Sequence, residues 1–141
     1  MTSLASPPSV RVVDEPKLEA LIETMFLAIF ADGDFGDDER KQLVSSVESL
    51  TDRRMSPTTT NALLTRIHAA VEAEGRAARF ASVKERLETH GERKTALALS
   101  IRLVVADGIV RTSERELILD LADALEIDRG EAADLVRDIC G

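Results

Sequence analysis

The chain has 141 residues, 44% apolar and 31% charged, with 18 basic against 26 acidic side chains and a net charge of −8. That length supports one domain with a sizeable core, while one cysteine and no tryptophan or tyrosine exclude a disulfide framework, a cysteine-based zinc cluster and an aromatic platform for base stacking. An acidic surface repels phosphate backbones, so nucleic acid is not an expected partner, and the absence of a basic or apolar leader or an apolar run of roughly 18 residues predicts a cytoplasmic protein without membrane insertion.

Residues 1–13 read as a disordered N-terminal segment and residues 14–141 as a single all-α domain of about seven helices. The first helix starts at Pro16, after the capping candidates Asp14 and Glu15, and ends near Ala31 before Asp32-Gly33. The second spans about Asp37 to Leu50, with Leu43, Val44, Val47 and Leu50 at helical spacing. A third follows the Ser56-Pro57 start signal to about Ala73, and a fourth lies between Gly75 and Gly91 with Phe80, Val83 and Leu87 on one face. The fifth is expected over about Arg93 to Ala106, stopping at Asp107-Gly108. Ser113 and Glu116 stand in capping-box spacing for the sixth, and Asp128 and Glu131 in a related acidic arrangement for the seventh, a start that Gly130 weakens.

Two helices lack a polar face near their ends. Met25 to Ala31 is apolar throughout, and Ala96 to Ala106 is interrupted only by Ser100 and Arg102. Helices apolar all round belong at the centre of a bundle, so both are placed there and the others around them. Their ends are also alike. Ala31 to Arg40 and Ala106 to Arg115 align without gaps at an offset of 75 residues, pairing Asp32 with Asp107, Gly33 with Gly108, Glu39 with Glu114 and Arg40 with Arg115. The pattern is a duplicated helix-loop-helix, two pseudo-two-fold repeats around two central apolar helices.

The twice-occurring Ala-Asp-Gly, followed by a glutamate seven residues after the aspartate within a chain of helices, resembles the TerB-like family named for tellurite resistance. The resemblance covers nearly all of the chain after residue 13. It implies an all-helical, pseudo-two-fold, non-catalytic module of the stress-response type that works through protein partners, including members of membrane-associated complexes, with self-association as a further expectation. A related module begins a membrane-anchored J-domain co-chaperone, but the His-Pro-Asp of a J-domain is absent here. The resemblance also implies divalent-cation binding by acidic loops, with Asp32, Glu39, Asp107 and Glu114 as the motif residues.

Charge distribution bears on that expectation. Residues 14–39 hold nine acids and one base, residues 53–102 ten bases and five acids, and residues 103–141 four bases and ten acids. Asp32, Asp34, Asp37, Asp38 and Glu39 crowd eight positions, which suits a hard cation such as Ca2+ or Mg2+. An EF-hand is excluded, because with Asp32 first the glycine position would hold Asp37 and the bidentate glutamate position Leu43. A second reading stands beside this one: Asp-Gly ends a helix and acids in the next first turn favour its dipole. That reading accounts for Asp107 and Glu114 but does not require Asp34, Asp37 and Asp38.

His68, His90 and Cys140 read as structural residues. The basic stretch Arg76, Arg79, Lys84, Arg86, Arg93 and Lys94 reads as a solvated helix face, with a docking patch for an acidic partner as the functional alternative. No nucleophile, phosphate loop or dinucleotide fingerprint accompanies the acids. The chain therefore reads as a non-catalytic cation-responsive module. The competing expectation is a metal-independent scaffold that docks through its basic middle helices.

Overall fold

A helix that is apolar on every side has to be enclosed, and the first helix sets the arrangement of the others. The computed structural model describes residues 15–29, 36–50, 55–105 and 110–140. Seven helices occupy them: α1 (Glu15–Ile29), α2 (Asp37–Leu50), α3 (Pro57–Glu74), α4 (Arg76–Arg86), α5 (His90–Val104), α6 (Thr112–Ala124) and α7 (Arg129–Cys140). No strand occurs among the described residues, and the fold is all-α. The N-terminal segment 1–13 and both Asp-Gly helix stops lie outside the described residues.

In α1, Leu18 and every residue from Ala20 to Ala28 is buried. Helices α2 to α6 all pack against it. The expectation for α5 needs correction. Ala96, Leu97, Ser100, Ile101 and Leu103 are buried, but Arg102 is exposed and Ala98, Leu99 and Val104 are only half-buried. One flank of α5 therefore belongs to the surface, and α1 alone is central. Thr24 and Ser100 are buried polar residues in these two helices, and each hydroxyl donates to the carbonyl four residues earlier at 2.9 Å. That bond removes the cost of an unpaired buried hydroxyl.

Helices α1 and α5 run side by side in the same direction. Their first turns are joined by Lys17, whose Nζ donates to Glu92 Oε2 at 2.6 Å. Their last turns, Ala28-Ile29 and Leu103-Val104, line one cleft. The duplication extends beyond the helix pair read from sequence. Helix α3 packs on both α1 and α2, as α7 packs on both α5 and α6, while α4 has no counterpart.

Local signals place most boundaries. Ser56 Oγ accepts from Thr59 N–H at 3.1 Å with Pro57 in the first turn of α3. Helix α5 starts at His90 rather than Arg93, because Thr89 Oγ1 accepts from Glu92 N–H and Glu92 Oε1 accepts from Thr89 N–H, both at 3.1 Å. This reciprocal pair overrides Gly91, which sits inside the first turn. At α7, Asp128 Oδ2 accepts from Gly130 N–H at 2.9 Å. A Cβ at Gly130 would meet that oxygen at 2.8 Å, so a larger residue there would make the Asp128 side chain shift. Glu131 does not reach back; it meets His90 Nε2 at 3.0 Å and Lys94 Nζ at 3.7 Å.

Burial pushes the Glu92 carboxyl up, but Lys17 and the Thr89 N–H and hydroxyl outweigh it and leave its pKa lowered. A lowered folded-state pKa gives stability that is present above the unfolded value and lost as pH falls through the folded one. Replacing Lys17 by Met should raise the Glu92 pKa toward its ordinary value in a carboxyl NMR titration. The variant should also lose less stability than the parent between pH 5 and pH 3, read as Tm.

Candidate functional site

The parallel run of α1 and α5 brings both repeats to one end of the molecule. There, Ala28 and Ile29 of α1, Gln42 of α2, Leu103 and Val104 of α5, and Ser113, Glu114 and Leu117 of α6 line an open cleft of about 410 Å³. Its floor is apolar and its rim polar. Helices α2 and α6 start at this end, and each carries a motif glutamate in its first turn.

The two glutamates do the same work. Glu39 Oε1 accepts from Gly36 N–H at 2.9 Å, and Glu114 Oε1 accepts from Arg111 N–H at 3.0 Å. Gly36 and Arg111 are themselves related by the 75-residue offset. In each repeat the glutamate satisfies a backbone donor at a helix start, where four N–H groups lack intrahelical partners. The capping box expected from Ser113 and Glu116 is therefore displaced by two residues: Glu114 supplies the carboxylate and Glu116 is exposed.

Asp37 and Asp38, also in the first turn of α2, are exposed and make no ion pair among the described residues. Successive helix residues point about 100° apart, so Asp37, Asp38 and Glu39 diverge and do not converge on one ion by themselves. No group of three or more metal-ligating side chains occurs among the described residues. Asp32, Asp34 and Asp107 lie outside them.

The basic stretch is placed differently from expectation. Arg79 and Arg86 both bind Glu23, a residue of α1 that is 1% exposed. Arg76 Nη1 donates to the Leu27 carbonyl at 2.5 Å and its guanidinium lies 5.3 Å over the Phe80 ring. Arg93 donates to the carbonyls of Leu87 and Lys84 at 2.7 and 3.0 Å, and Lys84 and Arg93 both pair with Glu126 at 3.3 Å. Those paired cations lower the Glu126 pKa, Lys84 most. Arg76, Arg79, Arg86 and Arg93 therefore turn into the molecule, while Lys84 and Lys94 pair with Glu126 and Glu131 at the surface. Glu23 has an apolar sequence context on α1, and a lone acid in such a run was the available signal for it.

His68 is half-buried, its ring 5.9 Å from Phe26 and its Nε2 3.7 Å from Glu72. Cys140 is a half-buried free thiol at the end of α7.

An all-helical domain built from two three-helix units and the additional α4, with Glu39 and Glu114 at helix starts of one shared end, defines the class. A family model described as Tellurite resistance protein TerB matches residues 13–137, and the chain belongs to that family. No curated protein and no solved structure matches the chain.

The capping geometry separates charge from hydrogen bonding. Glu39→Ala and Glu114→Ala should each cost about 0.3–1.5 kcal/mol in urea unfolding. Glu39→Gln and Glu114→Gln, which keep the acceptor oxygen, should cost clearly less.

Proposed function

We propose that the chain is a non-catalytic cytoplasmic TerB module that engages a protein partner at the cleft shared by its two repeats, and that a divalent cation, Ca2+ or Mg2+, at the Asp32 to Glu39 segment governs that end. The observation carrying this reading is the convergence of α1, α2, α5 and α6 on one cleft whose rim includes Glu114. It is supported by the crowding of Asp32, Asp34, Asp37, Asp38 and Glu39 beside the start of α2.

The physical role of a cation follows from the spare carboxylates. Like charges at short range repel and disfavour an ordered turn, and a bound cation offsets that repulsion. Neutralising that repulsion sets how α2 borders the cleft. The second repeat brings only Asp107 and Glu114, so a cation belongs with the first repeat. No covalent chemistry is assigned to either turn.

Titration of metal-free protein with Ca2+ and with Mg2+ in a calorimeter should give saturable heats, and Tm should rise with cation concentration. At a hundredfold excess over Kd the stabilisation should be about 2.7 kcal/mol. Asp34→Asn combined with Asp38→Asn should abolish both responses, whereas Glu114→Gln should retain them. Unchanged heats and unchanged melting with both metals would remove the cation from this reading.

A further inference from the structure

Helix α4 is held down by polar contacts as much as by apolar burial. Of its residues Arg76 to Arg86 only Val83 is buried, followed by Leu87 just past its end. Phe80 is half-buried, and Ala77, Ala78, Ala81 and Glu85 are exposed. Apolar burial scales with area removed from water, so this helix draws little from it.

Polar contacts add to it: Arg76 holds the Leu27 carbonyl, Lys84 pairs with Glu126, and two arginines converge on one buried carboxylate. Glu23 accepts from Arg79 Nε at 2.6 Å, from Arg79 Nη2 at 2.9 Å and from Arg86 Nη2 at 2.5 Å. The arginines flank Val83, four residues before it and three after, so all three side chains face α1 together. Arg79 also reaches Glu74 at 3.3 Å, and its pKa is raised above the ordinary value chiefly by the Glu23 hydrogen bonds. Beside this contact lies a cleft of about 190 Å³ bounded by Glu19, Glu23, Arg66, Ile67, Arg79 and Arg86, so the underside of α4 is not closed.

The N-terminal connection is also distinctive. Gly75 separates α3 from α4 with φ +91° and ψ 159°, a region in which L side chains are strained. A Cβ there would meet nothing within 4 Å, so the backbone conformation and not crowding calls for glycine. At the other end Leu87 is buried and Arg93 holds the last carbonyls, so α4 is tethered on both sides.

We infer that α4 is a strap that opens as a unit while the other six helices stay folded, hinged at Gly75 and latched by Glu23 through Arg79 and Arg86. Opening uncovers a groove between α1 and α3 with the Glu23 carboxylate on its floor and Ile67 and Ala70 along its side. It costs few apolar contacts. Once water reaches Glu23, the carboxylate no longer needs the arginines for solvation, and the open form does not retain an unpaired buried charge.

Native-state hydrogen exchange, followed by mass spectrometry in rising sub-denaturing urea, tests this on the full chain. Amides of residues 76–86 should exchange through one common opening with a urea slope well below that of the α1 and α5 amides, whose slowest exchange needs global unfolding. Glu23→Gln should increase exchange in α4 by about 10- to 100-fold at zero urea, the range for loss of charge-assisted hydrogen bonds. Arg86→Gln, which leaves Arg79 in place, should give a smaller increase and supplies the same comparison if Glu23→Gln does not fold. If the α4 amides follow the global urea dependence in the parent protein, the strap is overturned. Separate opening with exchange unaltered by either folded variant would overturn Glu23 as the latch.

Discussion

The fold turns on a carboxylate placed where a charge is costly. Helix α1 is enclosed along nearly its whole length, and Glu23 lies within it at 1% exposure. An ion removed from water loses several kcal/mol even after the protein relaxes, so Glu23 is compatible with the core only because two guanidiniums supply its donors. That requirement positions α4. A helix with one buried apolar residue has no strong apolar register of its own, whereas arginines on either side of Val83 fix both its rotation and its height on α1. Arg76 extends the same contact to the Leu27 carbonyl in the last described turn of α1. The acidic first block of the sequence and the basic middle block are thus partly joined inside the molecule.

Much of the architecture was legible because the chain punctuates its helices by short-range rules. The bounds Asp37 and Leu50 of α2 follow from the spacing of Leu43, Val44 and Val47, and Ser56-Pro57 marks the start of α3. Where the reading missed, a stronger local bond had won. Gly91 looks like an interruption until Thr89 and Glu92 are seen to close a reciprocal cap around it. Ser113 and Glu116 have the residue types of a capping box, but the backbone N–H that needs an acceptor is that of Arg111, and Glu114 is the acid in reach. The central position of α5 was overestimated for a different reason: apolar composition near a helix end does not reveal which flank a neighbour covers, and Arg102 marks the open one.

The site was legible as a pattern and less so as chemistry. The offset of 75 residues identifies Glu39 with Glu114, and the structure places both at equivalent helix starts at one end of the bundle. Their hydrogen bonds to Gly36 and Arg111 depend on backbone geometry, which no spacing rule reports. The arginines of α4 were harder to read. Glu23 lies 56 and 63 residues before them, and at three- and four-residue spacing a basic helix looks the same whether it faces water or a buried acid. The acid itself was the clue, since an ionisable side chain inside an apolar helix demands a partner from elsewhere.

The order in which the chain is synthesised gives the enclosure of α1 another meaning. Helix α1 is made before the helices that cover it, α2 to α6, and the Lys17–Glu92 contact spans 75 residues of sequence. Synthesis must pass Ala124, the end of α6, before that cover is complete. Until then α1 is an exposed greasy segment dependent on early collapse or on a chaperone to keep it from associating with other nascent chains.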